Sequence, residues 1–157
     1  NYSLINNQLN DVYAIIRQTS YLLNSESIRK VGLIESCRDF IQLIDKERIV
    51  SFQVFGTENT LSHLEATSAF RIIQELLQNA IRHANAHRIY CSVYFEETSL
   101  LINIEDDGIG FDKQNRKGLG LNNIEKRVKL MEGSIELDTI PHEGTSVWVS
   151  LPISGII

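Results

Sequence analysis

Three stretches of this 157-residue chain combine acids, amides, guanidinium groups and glycines in ways that a bare scaffold does not need. The first is "FRIIQELLQNAIRHANA" (70–86). At helical spacing Glu75, Asn79 and Arg82 form one row, opposite a face made by Phe70, Ile73, Leu77, Ala80 and Ala84. Asparagine is unfavourable inside a helix because its side chain competes for backbone hydrogen bonds, so Asn79 asks for another reason to be there. A carboxylate, an amide oxygen and a guanidinium in a row could serve as base, metal ligand and phosphate contact. A solvated helix face is the plain alternative.

The second stretch, "INIEDDGIGF" (102–111), sets three acids at a strand end before Gly-Ile-Gly. Read this way, Asp107 ends the strand, while Gly108 and Gly110 allow positive φ or close approach to a ligand. A carboxylate there can accept a hydrogen bond from an exocyclic amine such as that of adenine, within a concave site that also offers backbone groups. Glu105 and Asp106 are expected to be strand-end or solvent residues. The third stretch is "KGLGLNNI" (117–124), where Gly-x-Gly opens a helix whose first amides can hold phosphate oxygens. No GxxxxGK[ST] is present, which excludes a P-loop. The missing third glycine and the polar loop before the pair exclude the dinucleotide fingerprint.

The elements that must position these groups follow from periodicity. Residues 2–24 carry Ile5, Leu9, Val12, Ile16, Thr19 and Leu23 as a heptad seam, read as the end of a longer dimerisation helix. Ser25 and Ser27 cap a helix over 28–44. Strand patterns cover 48–56, 88–96, 100–108, 134–139 and 145–151, with helices at 65–85 and 119–132 and a polar loop at 111–118. Trp148, between Val147 and Val149, is expected to pack against a helix. This order predicts an α+β, two-layer sandwich: a mixed sheet covered by helices on one face.

Composition narrows the partners. A net charge of -5 and a pI near 5.4 argue against nucleic acid, which needs a basic face. Cys37 and Cys91 form no disulfide framework or CxxC metal pair and are expected to be buried thiols of a reducing compartment. No apolar run approaches the roughly 18 residues of a membrane span. The stretch is therefore expected to be cytoplasmic, which is compatible with an inner-membrane anchor elsewhere in the parent protein.

In order and spacing the three stretches resemble the N box and the two glycine boxes of the GHKL nucleotide-binding superfamily. "QELLQNAIRHA", "DDGIGF" and "KGLGLNNIEKRV" look most like the NarX/DesK-like branch of sensor histidine kinases, and "EGT" (143–145) fits the ending of that family. The resemblance covers about residues 30–153 and implies the Bergerat sandwich, with an ATP-binding catalytic domain over 25–157 and the end of a dimerisation and phosphotransfer helix over 1–24. It implies that ATP and Mg²⁺ bind, with Asn79 ligating the metal and Glu75 as the catalytic acid that supports the metal shell or activates water. Arg82 and Lys117 would contact phosphate, His83 and Thr145 would line the pocket, and Asp107 would receive the adenine amine. Gly108 and Gly110 would shape the pocket, and Gly118, Leu119, Gly120 and Leu121 would bring amides to the phosphates.

The implied partners are the protein's own phosphoacceptor domain, a response regulator and a second copy of the full-length chain. His63, His87 and His142 read as surface or structural residues, so the acceptor histidine is expected outside this stretch. Two other readings share the boxes: a GHKL ATPase in which Glu75 activates water, and an anti-sigma-type nucleotide-dependent regulator. The heptad seam favours the kinase.

Overall fold

The structure, a computed structural model, describes residues 25–58, 61–112 and 120–154. The seam at 2–24 and residues 113–119 therefore lie outside the described residues. Helix α1 (Ser25–Ile44) is interrupted at Gly32, whose φ of 83° and ψ of 177° are not helical, so the single helix expected there is two pieces joined at a glycine. Strand β1 (Val50–Phe55) leads to α2 (His63–His83), followed by β2 (Ile89–Phe95) and β3 (Ser99–Asp106). Helix α3 (Leu121–Leu130), β4 (Ser134–Ile140) and β5 (Gly144–Pro152) complete the order.

Helix α2 begins where its sequence offers a full capping box. The Ser62 hydroxyl accepts the Glu65 N–H, and the Glu65 carboxylate accepts the Ser62 N–H in return. Such a cap contributes about 1 kcal/mol. His63, just before the helix expected over 65–85, thus belongs to the first turn of α2. Glu65 also accepts the main-chain N–H and the hydroxyl of Ser154, at 2.6 and 2.8 Å, tying the chain after β5 to the start of α2.

The five strands form one sheet in the order β1-β2-β3-β5-β4, with β1 and β2 parallel and the remaining neighbours antiparallel. The parallel pair needs a crossover, and α2 supplies it. Alternate residues of the central strands (Ile89, Cys91 and Val93; Leu100, Ile102 and Ile104; Val147, Val149 and Leu151) face Phe40, Phe70, Ile73 and Leu77 of the helices. Leu121, Ile124 and Val128 of α3 close the same core. Both cysteines are fully buried within it, and burial raises both thiols, Cys91 to about 12.

The sandwich is thus the α+β fold the periodicity predicts. Trp148 is a correction: it is 43% exposed and stacks on Tyr94, which in turn stacks on Phe55, rather than meeting a helix. Val147 and Val149 take the helix-facing side of β5, so strand alternation sends Trp148 to the other.

Candidate functional site

The second half of α2, the ends of β3 and β5, and the start of α3 surround a cleft of about 280 Å³. Its walls are apolar, including Leu76, Ala80, Ile104, Leu121, Leu137 and Val147, and Asn79, His83, Asp106 and Thr145 supply the polar groups. A mostly apolar cavity with a few converging polar groups is the usual form of a small-molecule site.

The acid at its end is Asp106, and this corrects the sequence reading. Along β3 the buried series Leu100, Ile102, Ile104 continues by strand alternation to Asp106, which is 8% exposed. Register places it between Ile89 of β2 and Thr145 of β5. One Asp106 carboxylate oxygen accepts the Gly108 N–H at 2.9 Å. Burial raises the carboxyl above its ordinary value, with hydrogen bonds from the main chain of Gly108 and Thr145 opposing and the charge of Asp107 adding to the rise.

Asp107 points the other way. Its Oδ1 accepts the N–H groups of His87 and Arg88 at 2.8 and 2.9 Å, stapling the loop between α2 and β2. It is exposed and does not line the cleft. The Arg88 N–H, joined by that of His87, holds its carboxyl below the usual range against the opposing effect of burial.

The glycines permit close approach of backbone to backbone, with partners the sequence did not name. A Cβ on Gly108 would collide with the Ala84 carbonyl, and the next residue, Ile109, donates its N–H to that same oxygen at 2.7 Å. The loop after β3 is thereby clamped to the end of α2. Gly110 has φ of +54° and lies against the Ile140 carbonyl, while His142 N–H donates to Ile109 at 2.6 Å. Thr139, missed in the sequence, accepts the Phe111 N–H at 3.1 Å and joins the Thr145 hydroxyl at 3.1 Å. Gly144, also missed, has φ of +91° and packs on the Asp106 carbonyl. The signal for Gly144 was present in the quoted "EGT"; nothing local marked Thr139.

On the opposite side of the cleft Gly120 caps α3 with φ of +65°. Its missing side chain faces Glu75, and the Asn79 amide nitrogen is 3.7 Å from where a Cβ would stand. Glu75, Asn79 and Gly120 are thus brought together, with the α3 N-terminus beside them. His83 is exposed at the cleft edge. Arg82 is exposed in the same last turn but does not line the cleft. Leu121 and Thr145 line it, whereas Lys117, Gly118 and Leu119 lie outside the described residues.

An apolar cleft ending in a buried acid thus lies on a helix-covered mixed sheet. The chain belongs to the family of histidine kinase-, DNA gyrase B- and HSP90-like ATPases, whose model matches residues 65–155. It is a histidine-kinase ATPase domain homologous to sensor histidine kinases.

The chain is 30% identical over 146 residues to the signal transduction histidine-protein kinase/phosphatase DegS of Brevibacillus brevis, covering 90% of this chain and 38% of that protein. It is 26% identical over 147 residues to the sensor histidine kinase ComP of Bacillus subtilis, covering 89% and 19%. It therefore spans less than half the length of these relatives. The fold is shared with the blue-light activated histidine kinase of Erythrobacter litoralis (TM-score 0.67, 19% identity, 94% of this chain and 50% of that one). It is shared too with the histidine kinase AdeS of Acinetobacter baumannii (TM-score 0.63, 14% identity, 98% and 84%). Among the described residues no helix is long and apolar enough to cross a membrane.

Proposed function

We propose that this domain holds MgATP and presents its γ-phosphoryl group to a histidine on a separate helical domain of the same protein, from which it passes to a response regulator. The observation that carries the reading is Asp106: a buried carboxylate at the end of an apolar cleft, already fixed by main-chain donors and with acceptor capacity left for an exocyclic amine.

The remaining roles belong to the same proposal. The apolar walls take the base, with His83 and Thr145 at its edges. Asn79 offers a hard oxygen ligand beside the α3 N-terminus. Among the described residues no cluster of three or more His, Cys, Asp or Glu could hold a metal by itself. That donor set suits Mg²⁺, which keeps several waters and shares its ligation between protein and phosphates. When bound, the metal neutralises charge on the phosphates. Glu75, one turn before Asn79, orients the metal shell or the attacking group. Arg82 and Lys117 contact phosphate, and the amides of Gly118, Leu119, Gly120 and Leu121 reach phosphate oxygens at a helix N-terminus. Positioning and charge neutralisation are the main tasks in phosphoryl transfer.

Residues 1–24 are assigned to the end of the dimerisation and phosphoacceptor helix, and the full-length protein to a homodimer. All four histidines of the chain, His63, His83, His87 and His142, are exposed residues of the ATP-binding domain, and none is assigned as acceptor. The test is a phosphorylation assay with labelled ATP on this chain, alone and mixed with the isolated helical domain of its parent protein. Label on the helical domain only is expected. A stable phosphohistidine on this chain alone would overturn the assignment of the acceptor.

A further inference from the structure

On the far side of Glu75 from the base cleft, α2 and α3 enclose a second cleft of about 400 Å³. It is lined by Arg71, Gln74, Glu75 and Gln78 of α2 and by Asn123, Ile124 and Arg127 of α3. None of the roles assigned above uses the two arginines or the two glutamines.

Gln74 is 2% exposed, an unusual position for an amide unless it is satisfied. Its Oε1 faces the Arg71 Nη1 at 3.5 Å. A guanidinium can only donate, so this contact fixes which end of the amide is oxygen and leaves Nε2 as a donor. That Nε2 is buried and has no partner, and the Nε2 of Gln78, one turn further on, is in the same state.

The two guanidiniums repel each other: burial, and then the charge of Arg127, lower the pKa of Arg71. Neither arginine has an ion-pair partner among the described residues. Two positive groups therefore face one carboxylate, that of Glu75. The cleft is lined by guanidiniums from two helices, with a surplus of positive charge, and the two unpartnered amide nitrogens of α2 lie buried in its wall.

We propose that this cleft is an oxyanion site for a group of the phosphate class, held by Arg71 and Arg127 with the amide nitrogens of Gln74 and Gln78. A tetrahedral oxyanion has enough acceptors to meet donors converging from two helices, and bidentate guanidinium contacts suit it. Inorganic phosphate, as the monohydrogen dianion, also carries a P–OH that can donate to Glu75, which a deprotonated carboxylate ligand cannot do. The group has two sources: free phosphate, or the terminal phosphate of a nucleotide seated in the neighbouring cleft. The first does not depend on the nucleotide reading; the second rests on it.

The experiment follows the side-chain amide resonances of Gln74 and Gln78 in the ¹⁵N-labelled chain during titration with inorganic phosphate, at ionic strength held constant with chloride. Gln78→Leu identifies one signal, and the exposed Arg127→Gln variant serves as the test substitution. Saturable shifts of both signals, with affinity at least tenfold lower in Arg127→Gln, are expected. The ratio of ATP to ADP affinity, measured for the wild type and the same variant, separates the sources. A tenfold fall in that ratio assigns the terminal phosphate; an unchanged ratio beside phosphate-induced shifts assigns free phosphate. No saturable shift together with an unchanged ratio overturns the site, as do equal shifts in Arg127→Gln. AMP binding reports on the base cleft by itself, so its loss would count against the nucleotide reading and not against this one.

Discussion

The carboxylate of Asp106 accepts the N–H of Gly108 at 2.9 Å, and the same Gly108 leaves no room for a side chain against the Ala84 carbonyl. One backbone turn thus fixes both the acid and the end of α2 that forms the opposite wall. An acid held this way selects a base with an exocyclic amine. Inosine triphosphate, which has an oxygen at that position, is expected to bind roughly 10 to 100 times more weakly than ATP, the cost of an unmade charge-assisted hydrogen bond. Competition against a fluorescent ATP analogue measures the ratio.

Much of this arrangement was legible in the sequence, and its main error is instructive. Helix α2 announced itself by an apolar stripe and the strands by alternation, whereas the Ser62 cap was passed over as part of a polar connection. The choice of Asp107 over Asp106 came from treating the acid run as a strand terminus, without carrying the alternation of Ile102 and Ile104 forward by one more step. Adding two residues to Ile104 gives Asp106. Thr139 was not legible, because its contacts to Phe111 and Thr145 cross strands whose pairing no local pattern encodes. Gly32 was read through for the same reason: a glycine within a helical pattern marks an interruption only when its neighbours are known.

Two glycine substitutions should separate fold from site. Gly110→Ala places a Cβ against the Ile140 carbonyl at φ of +54°, where neither backbone can yield easily. Urea unfolding should show a loss of at least about 2 kcal/mol, since the left-handed conformation alone costs roughly 1–2 kcal/mol. Gly120→Ala meets only the mobile end of Glu75, so its stability cost should stay near that backbone figure. Its larger effect should be on MgATP affinity, because Glu75 must move aside.

Acid stability should carry the mark of Glu65. Burial favours its protonated form, but hydrogen bonds from Ser154 and Ser62 outweigh this and leave its folded pKa below the ordinary value of 4.5. The sign follows: its contribution is present above pH 4.5 and is lost as pH falls through the lower folded value. Glu65→Gln should therefore be less stable than wild type at neutral pH, with the gap narrowing below about pH 4.5 in thermal unfolding. A gap that stays constant on acidification would mean that the carboxylate charge is not what ties Ser62 to Ser154.

Asn79 and Glu75 should differ in what they remove. Asn79→Ala is expected to abolish the increase in ATP affinity caused by Mg²⁺ while leaving AMP binding within about twofold, since the Asp106 end of the cleft keeps all its groups. Glu75→Gln should retain MgATP binding and lose phosphoryl transfer to the helical domain. Strong ATP hydrolysis by this chain that disappears in Glu75→Gln would move the assignment toward a water-activating ATPase.

The most direct test is a titration of the wild-type chain, Asp106→Asn and Asp107→Asn with a non-hydrolysable ATP analogue and Mg²⁺, with circular dichroism confirming that all three are folded. The account predicts saturable binding by the wild type, affinity at least tenfold lower in Asp106→Asn, and affinity within about twofold of wild type in Asp107→Asn. Loss of binding in Asp107→Asn with Asp106→Asn unaffected would contradict it.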